Sequence, residues 1–458
     1  MNPQLPVDFT NRMKEQLGDE YDAFISSYDA PPVRSLRINR RKVSSVDYAH
    51  MSSIFTGESS PEAVSFCEGA YYYADHEPGR SPLHDAGAYY IQEASAMLPA
   101  QLLDISERGL KVLDLCSAPG GKMTQIADLM NGHGLLVANE IIASRASVLS
   151  ENAERLGVEN ALVLNHEPAE LAGRFPSFFD RILVDAPCSG EGLFRRWPEA
   201  TGEWSLDNVK MCAARQDDIL DFAAAMLAPN GKIVYSTCTF SPEEDKGTTE
   251  RFLSRHSEFE ICDEPVHLYP HTAKCEGHFA VSFTRKNMSP PSSSTISPTS
   301  DKSLRSRKKP VLSPAETSLI RSFLDECLKP ESPHRSLIEG NLDRIIRFGD
   351  SIYFAPEFLP DISHLKVKRC GLKIGTFQKN RFEPDHALSH ALSPEEAAHV
   401  IDLPQDSNEV RQYISGMTIN CDKEMKGWCL VCTEKFGLGW GKASGGTLKN
   451  HYPKGLRR

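Results

Sequence analysis

The stretch Lys111-Val-Leu-Asp-Leu-Cys-Ser-Ala-Pro-Gly-Gly-Lys122 decides the fold that the sequence predicts. Residues 112–115 indicate a short buried strand, residues 119–121 a turn, and the apolar residues after them one face of a helix. Those residues follow the spacing i, i+3, i+4, i+7: Met123, Ile126, Ala127 and Met130. A strand, a glycine turn and a helix in this order open a doubly wound α/β sheet that binds nucleotides.

The turn also indicates which kind of ligand it takes. Its glycines let backbone N–H groups at the helix start approach a ligand. Glu140 lies 20 residues after Gly120, a spacing at which an acidic side chain meets a ribose. The turn is neither G-x-G-x-x-G nor a phosphate loop, so a dinucleotide or a triphosphate is not favoured. The pattern favours S-adenosylmethionine, with a plain tight turn as the alternative.

The composition is that of a globular chain of about three domains, with 458 residues, 40% of them hydrophobic and 25% charged. No apolar run approaches the roughly 18 residues of a membrane helix, and the first residues lack the apolar part of a secretory signal. We therefore expect a cytoplasmic protein with no membrane partner, whose 12 cysteines are reduced thiols. The net charge of −11 argues against general nucleic-acid binding. Residues 413–458 are an exception, with eight Lys and Arg against three Asp and Glu.

Strands and helices alternate over residues 89–288, which we predict to be a Rossmann-like domain. Strands at residues 161–164, 181–184 and 232–236 belong to this pattern, and residues 278–284 indicate one arm of an antiparallel pair. Ligands gather at the carboxyl ends of the strands in such sheets. Residues 289–312 are rich in Pro and Ser and predict a linker. Residues 313–458 then form a C-terminal region.

Residues 1–88 predict a separate α+β region that binds RNA. A helix with Phe9 and Met13 on its apolar face precedes a strand at residues 33–39. The arginines in that strand, Arg34 and Arg37, allow two interpretations. The strand faces RNA, or it is a solvated edge strand.

The C-terminal tail mixes aromatic residues with lysines, which suits stacking and phosphate contact on RNA. These residues are Trp428, Lys435, Phe436, Trp440, Lys442, Lys449, Tyr452 and Lys454. Cys429 and Cys432 have C-x-x-C spacing, but a zinc site needs a second pair close by. We therefore predict a buried strand at these cysteines and expect no metal.

Two cysteines follow neighbouring predicted strands: Cys188 in DAPCSGEG and Cys238 in YSTCTFSPEED. Since parallel strands end at one edge of a sheet, both thiols should face the ligand pocket. Methylation at carbon 5 of a pyrimidine needs such a thiol, because its addition to carbon 6 makes carbon 5 nucleophilic. A second group near the ring then assists loss of the proton and elimination of the thiol.

Cys238 is the better candidate for the nucleophile. Ser241-Pro242-Glu243-Glu244 predicts a helix start, whose positive end would lower the pKa of the preceding thiol. Asp185 begins the loop that carries Cys188. Its carboxylate is placed to accept a hydrogen bond from the cytosine amino group or to hold ring nitrogen 3 in its protonated form. DAPC also differs from the aromatic-ended D/N-P-P-Y/F loop of amino-group methyltransferases.

DLCSAPGGK, DAPCSGEG and YSTCTFSPEE, in this order, resemble the Sun family of RNA cytosine-C5 methyltransferases. IQEASAM ahead of the glycine loop matches the family as well, and this resemblance covers about residues 30–288. The C-terminal region, ending in GWGKASGGTLKNHYPKGLRR, resembles the RsmF-like bacterial branch, which acts on small-subunit ribosomal RNA. The resemblance implies a PUA-like C-terminal part that binds RNA.

The resemblance also implies a role for each motif residue. Glu140 would hold the ribose of S-adenosylmethionine, and Glu167, where the family often has Asp, would lie near the adenine. Asp185 would contact both the cofactor region and the target base. Cys238 would be the nucleophile, and Cys188 would assist release of the methylated RNA. The cofactor loop would consist of Cys116, Ser117, Ala118, Pro119, Gly120, Gly121 and Lys122.

We therefore expect a monomeric methyltransferase that modifies carbon 5 of cytosine in RNA, with 16S ribosomal RNA or the small subunit as partner. The target base would be flipped or already unpaired. Three alternatives stay open at this point. They are the same chemistry on transfer RNA, a non-catalytic RNA-binding assembly factor, and a DNA cytosine methyltransferase in which Cys188 forms the adduct.

Overall fold

The structure, a computed structural model, describes residues 5–74, 77–286, 312–379 and 381–458. The linker predicted at residues 289–312 lies outside the described residues, apart from residue 312. No helix within the described ranges is long and apolar enough to cross a bilayer.

Seven short elements form the N-terminal region: α1 (Val7–Leu17), α2 (Tyr21–Ser26), β1 (Ser35–Ile38), α3 (Tyr48–Thr56), β2 (Ala70–Tyr72), α4 (Pro82–Asp85) and β3 (Tyr89–Ile91). The three strands form an antiparallel sheet in the order β2-β1-β3. Phe9 and Met13 on α1 are buried, as their spacing predicts.

The centre of the molecule is an eight-stranded sheet with helices on both sides. Its elements along the chain are α5 (Leu98–Gln101), β4 (Lys111–Asp114), α6 (Gly121–Met130), β5 (Leu135–Asn139), α7 (Ala143–Arg155), β6 (Ala161–Leu164), α8 (Pro168–Arg174), β7 (Phe179–Asp185), α9 (Leu206–Met226), β8 (Leu227–Thr237), α10 (Lys246–Arg255), β9 (Phe259–Leu268) and β10 (His278–Arg285). Strands β6, β5, β4, β7 and β8 are parallel neighbours in that order, followed by antiparallel β10 and β9. The predicted Rossmann-like core and its late antiparallel strand are confirmed.

The alternation of side chains along β4 explains why helices cover both faces of this sheet. Val112 packs into the cluster that contains Ile126 of α6, whereas Leu113 packs into the cluster that contains Leu220 of α9. Both strand residues are fully buried. Each such side chain stabilises the fold by about 1.5–3 kcal/mol. A run of apolar residues in one strand therefore requires a layer of helices on each side.

Both interpretations of the first strand are wrong for Arg37, whereas Arg34, just ahead of β1, is exposed. Strand β1 is the central strand of its sheet, and the Arg37 side chain is buried rather than exposed to RNA or to solvent. Its guanidinium forms an ion pair with Asp128 and donates a hydrogen bond to Thr124 Oγ1 at 3.0 Å. A buried charge needs such a partner, and here the partner lies on α6. This arginine therefore joins the N-terminal region to the central sheet.

The C-terminal region contains α11 (Pro314–Cys327), α12 (Pro333–Gly340), β11 (Ile345–Phe348), β12 (Ser351–Phe354), β13 (Val367–Cys370), β14 (Leu372–Gln378), β15 (Arg381–Pro384), α13 (His386–Ala391), β16 (Val400–Leu403), α14 (Asn408–Ile414), β17 (Ile419–Asn420), β18 (Gly427–Thr433), β19 (Phe436–Ser444) and β20 (Thr447–Asn450). Two sheets have the orders β11-β12-β14-β15 and β16-β18-β19-β20-β17. Strand β13 belongs to neither. It pairs antiparallel with β6 and so becomes the edge strand of the central sheet.

The aromatic residues of the tail do not face RNA, so that expectation is wrong. Trp428, Phe436, Trp440 and Tyr452 are all buried. Strands β18 and β19 lie inside a five-stranded sheet, where large side chains fill the core instead of the surface. The prediction of a buried strand at Cys429 and Cys432 is confirmed, because both lie in β18 and both are buried.

Candidate active site

The two cysteines come together at the carboxyl edge of the central sheet. Strand β7 ends at Asp185 and strand β8 at Thr237, and the two strands are parallel neighbours with Asp185 beside Ser236. Three residues beyond β7 and one beyond β8, the Sγ atoms of Cys188 and Cys238 lie 3.3 Å apart. Both are free thiols that are partly exposed. The predicted juxtaposition of two thiols is thus present in the fold.

Asp185 links these cysteines to the glycine loop. Its carboxylate accepts hydrogen bonds from Lys122 Nζ at 2.8 Å and from the Ser236 hydroxyl at 2.8 Å. His278 Nε2 lies 3.5 Å away. Burial raises the pKa of Asp185, but the Lys122 ammonium and the His278 imidazole together hold it well below the usual range. Asp185 is therefore a charged acceptor over the whole physiological range.

The glycine loop runs from the end of β4 to the start of α6. Gly120 has φ 113°, which favours glycine, and a Cβ there would lie 3.1 Å from Leu149 Cδ1. The Ser117 amide donates to the Asn139 carbonyl at 2.8 Å, and its hydroxyl donates to Asp114 Oδ2 at 2.8 Å. These bonds fix the loop above the carboxyl ends of β4 and β5.

Glu140 and Glu167 follow the next two strands. The Glu140 carboxylate is buried, accepts a hydrogen bond from the Ile142 amide at 2.9 Å and lies 3.4 Å from Arg145 Nη1. Glu167 precedes α8 and is exposed. The sheet order β4-β5-β6 places both residues on the same edge as the glycine loop. Their predicted contacts with ribose and adenine stay predictions.

Asp114 belongs to this site, although sequence reasoning did not single it out. It is the last residue of β4 and is fully buried, and its Oδ1 has no hydrogen-bond partner among the described residues. Burial raises the pKa of Asp114 to about 7. The sequence could have indicated Asp114, because an acidic residue in an otherwise apolar buried strand is unusual and suggests a functional role.

The charges around the loop fit S-adenosylmethionine. Burial raises the pKa of the Cys116 thiol, and the carboxylates of Asp114, Asp185 and Glu140 raise it further. Three acidic groups therefore converge on one loop. A ligand with a sulfonium, an ammonium and two ribose hydroxyls supplies the positive charge and the donors that these oxygens accept.

A buried acidic network supports the two cysteine loops. Glu244 accepts hydrogen bonds from the amide and hydroxyl of Ser189 and from Gln216 Nε2 at 2.9 Å. Burial raises the pKa of Glu244 to about 7. Glu191 accepts from the Phe240 amide at 3.1 Å, and the Gly192 amide donates to the Cys238 carbonyl at 2.9 Å. The loop after β7 is thus bonded directly to the loop after β8.

The helix-dipole argument for Cys238 is wrong. Helix α10 begins at Lys246, not at Pro242, and the residues between form a turn. The amides of Glu244 and Asp245 both donate to the Ser241 carbonyl, at 3.1 and 3.0 Å. Because Glu244 turns inward to Ser189, its side chain cannot cap a helix at this point. The thiol therefore lies beside a turn and not ahead of a helix.

No group of three or more His, Cys, Asp or Glu residues in the described parts of the chain is placed to hold a metal ion. The order of the parallel strands, the glycine loop and the acidic groups at the strand ends define the class of Rossmann-like methyltransferases. A methyltransferase homologue from Pyrococcus horikoshii is 26% identical, with a TM-score of 0.54 over 61% of this chain and 94% of its own. NSun6 from the same organism, solved with SFG, shares the fold at 19% identity, with a TM-score of 0.53 over 61% of this chain and 98% of its own.

Within that class, the chain belongs to the RsmF family of 16S ribosomal RNA methyltransferases. Ribosomal RNA small subunit methyltransferase F from Vibrio vulnificus is 32% identical over 100% of this chain and 98% of its own length. The relative of the same name from Shewanella oneidensis is 31% identical over 99% and 97%. The matching family models are the 16S rRNA methyltransferase RsmB/F (residues 100–293), the RsmF N-terminal domain (5–94), the first RsmF C-terminal domain (322–392) and the RsmF PUA domain (400–458).

Proposed function

We propose that the chain methylates carbon 5 of a cytosine in 16S ribosomal RNA, with S-adenosylmethionine as methyl donor. The observation that carries the proposal is the pair of sulfur atoms 3.3 Å apart at the ends of β7 and β8. Methyl transfer to an exocyclic nitrogen or to an oxygen needs no thiol, because those atoms are nucleophilic without covalent help. Family membership and the full-length match to small-subunit RNA methyltransferases support the choice of RNA.

Cys238 is the nucleophile in this proposal. Its thiolate adds to carbon 6 of the cytosine, and the electron pair of the 5,6 double bond moves so that carbon 5 becomes nucleophilic. Carbon 5 then bonds to the methyl carbon as the bond between that carbon and the donor sulfur breaks. Water then takes the proton from carbon 5, the electron pair of that C–H bond restores the 5,6 double bond, and the Cys238 thiolate leaves. When bound, S-adenosylmethionine supplies the electrophilic methyl group.

Cys188 takes the second role in this proposal. Its Sγ lies 3.3 Å from that of Cys238, and its hydrogen bond with Cys238 and burial raise the pKa of the Cys188 thiol above its usual range. The resemblance of the YSTCTFSPEE motif supports Cys238 as the adduct-forming residue. The two cysteine variants decide between this arrangement and the DNA methyltransferase arrangement, in which Cys188 forms the adduct.

Asp185 and Lys122 orient the target base and the donor in this proposal. The Asp185 carboxylate accepts hydrogen bonds from Lys122 and Ser236, and the Asp185 side chain is still partly exposed. It is placed to accept a hydrogen bond from the cytosine amino group or to stabilise protonated ring nitrogen 3, which withdraws electrons from carbon 6 and so favours attack by the thiolate. Glu140 and the loop from Cys116 to Lys122 hold the donor.

The test uses the purified full chain, tritiated S-adenosylmethionine and two substrates, protein-free 16S ribosomal RNA and transfer RNA. We expect 5-methylcytidine in nuclease digests of the ribosomal RNA. Cys238→Ala should abolish it, while Cys262→Ala, which alters an exposed thiol on β9, should retain full activity. Product in transfer RNA alone would establish the alternative substrate. Full activity of Cys238→Ala would overturn the mechanism.

A further inference from the structure

Trp197 is the one tryptophan of this chain that is open to solvent. Its exposed fraction is 51%, whereas Trp204, Trp428 and Trp440 are exposed by 8% or less. All four tryptophans lie in described parts of the chain. A single exposed apolar residue means little by itself. Its surroundings are what set Trp197 apart.

The backbone under Trp197 is fixed to the cysteine loops. The Trp197 amide donates to the Leu193 carbonyl at 2.7 Å. Before it, the buried Arg195 donates to Glu276 at 2.7 Å and to the Cys275 carbonyl at 2.9 Å. Gly192, whose amide donates to the Cys238 carbonyl, is only five residues away, so the Trp197 backbone lies within about 21 Å of the Cys238 backbone. That span corresponds to a few nucleotides of single-stranded RNA.

Two guanidinium groups in this part of the molecule have no acidic partner among the described residues. The Arg196 guanidinium lies 6.0 Å from the Trp197 ring centroid and pairs with no carboxylate in the described ranges. Arg34, from the N-terminal region, donates to the Ala74 carbonyl at 3.5 Å. Burial raises the pKa of the Tyr73 hydroxyl, and the charges of Arg34 and Arg196 both lower it, so the two cations act on the same phenol.

Arg196 differs in this respect from its neighbour in the same loop. Arg195 is buried and is neutralised by Glu276. In a protein of net charge −11, an arginine that has no acidic partner in the described ranges and lies beside an exposed indole offers a place that attracts phosphate. The tail aromatics are buried, so they offer no comparable surface.

We propose that Trp197 is a stacking platform for an unpaired base that flanks the target cytosine, with Arg196 contacting the phosphate beside that base. The inference rests on the proposed RNA substrate and names where that RNA lies. A base stacked on a fixed indole holds the strand in register with Cys238, so Trp197 is a positioning residue. Since every base has a flat face, the contact tolerates different sequences.

The first experiment compares Trp197→Ala, Trp197→Phe and Phe358→Ala in steady-state methylation of 16S ribosomal RNA. Phe358 is 58% exposed and packs near Gly109, ahead of the amino end of β4, so it is a matched aromatic on the far edge of the sheet. Trp197→Ala should raise the KM for RNA roughly tenfold to a hundredfold, with the KM for S-adenosylmethionine unchanged. Trp197→Phe should stay within about threefold of the unaltered protein, because it keeps a stacking ring. Phe358→Ala should not change either KM.

The second experiment measures RNA binding independently of catalysis, through tryptophan fluorescence. Protein-free 16S ribosomal RNA should quench tryptophan fluorescence of the unaltered protein and leave that of Trp197→Phe nearly unchanged, because the remaining tryptophans are buried. Arg196→Gln should lower the slope of log Kd against log salt concentration by about 0.7, the value for one phosphate contact on a single strand.

Failure of the inference and failure of the proposed function give different results. If the unaltered protein transfers no methyl group to the RNA, the function is wrong, and the fluorescence titration still decides whether Trp197 binds RNA. The stacking proposal is wrong if the unaltered protein is active and Trp197→Ala has the same KM for RNA and the same RNA-induced fluorescence quenching as the unaltered protein. A defect on assembled small subunits with none on protein-free RNA would show that Trp197 docks on a ribosomal protein, which also overturns the proposal.

Discussion

In the proposed mechanism Cys188 assists release of the RNA from Cys238, so substitutions of the two cysteines should behave differently. Without a proton-bearing partner, elimination of Cys238 from the methylated base should slow more than addition does. We expect Cys188→Ala to accumulate a protein–RNA complex that survives denaturing electrophoresis, while Cys238→Ala forms none. Cys188→Ala that turns over normally without such a complex would contradict the assignment.

Glu244 predicts a pH dependence of stability. Its pKa rises to about 7 in the fold from an ordinary value of 4.5, so the native state binds the proton more tightly than the unfolded chain does. The stability that this group contributes is therefore present at low pH and is lost as pH rises from about 4.5 to 7. Glu244→Gln should remove that loss, making the variant more stable than the unaltered protein at pH 8, by on the order of 2–4 kcal/mol, and closer to it at pH 5.

Thermal unfolding of Glu244→Gln and of the unaltered protein at the two pH values checks this. The difference between the two pH values isolates Glu244 from other titrating groups, such as Asp245, whose pKa burial also raises, to about 6. If the difference in stability between Glu244→Gln and the unaltered protein is the same at both pH values, the Glu244 carboxyl is ionised in the folded protein at both, which contradicts the prediction.

At the scale of elements, helix α1 holds the loop that follows β7. Arg12 of α1 forms an ion pair with the buried Glu191, which also accepts hydrogen bonds from the Phe240 amide and from Trp204 Nε1 at 2.8 Å. Arg12→Met leaves that carboxylate without its cation, which should lower the free energy of local opening by about 3–5 kcal/mol. Hydrogen exchange should then be faster at residues 189–193 and 239–241.

Arg80→Met is the control for this change, since Arg80 forms an ion pair with Glu77 in which both side chains are largely exposed. An exposed pair contributes little, so exchange should stay as in the unaltered protein. Equal effects of the two variants, or unchanged exchange in Arg12→Met, would show that α1 does not stabilise the loop.

Motifs at strand ends were predictable, and side chains that bridge distant elements were not. Asp185, Cys188 and Cys238 follow strands whose order is set by hydrophobic pattern and parallel topology, so their meeting at one edge could be inferred from sequence. The contact between Ser189 and Glu244, 55 residues apart, follows from packing that no local pattern encodes. For the same reason the burial of Arg37 and Trp440 could not be predicted, because an arginine or a tryptophan in a strand suits a surface as well as a core.

At the scale of the whole molecule, the central sheet is incomplete without the C-terminal region. Strand β13 covers the outer edge of β6, with Val367 beside Leu164 and Cys370 beside Leu162. A chain ending at residue 286 would leave that edge bare and expose apolar surface. We expect this truncated chain to aggregate or to unfold at a much lower temperature, as measured by size-exclusion chromatography and thermal unfolding. A stable, monomeric and active fragment would contradict the expectation.

The late position of β13 also has a consequence for biosynthesis. Strand β6 leaves the ribosome roughly 200 residues before its edge partner, which at about 5–20 residues per second is an interval of some 10–40 s. Throughout that interval β6 is an unpaired edge strand on the nascent chain. Nascent chains of neighbouring ribosomes on the same polysome can pair with that edge. Slowing translation after residue 286 should therefore make folding of this protein depend more strongly on ribosome-associated chaperones. Slowing translation before residue 160 should have a smaller effect.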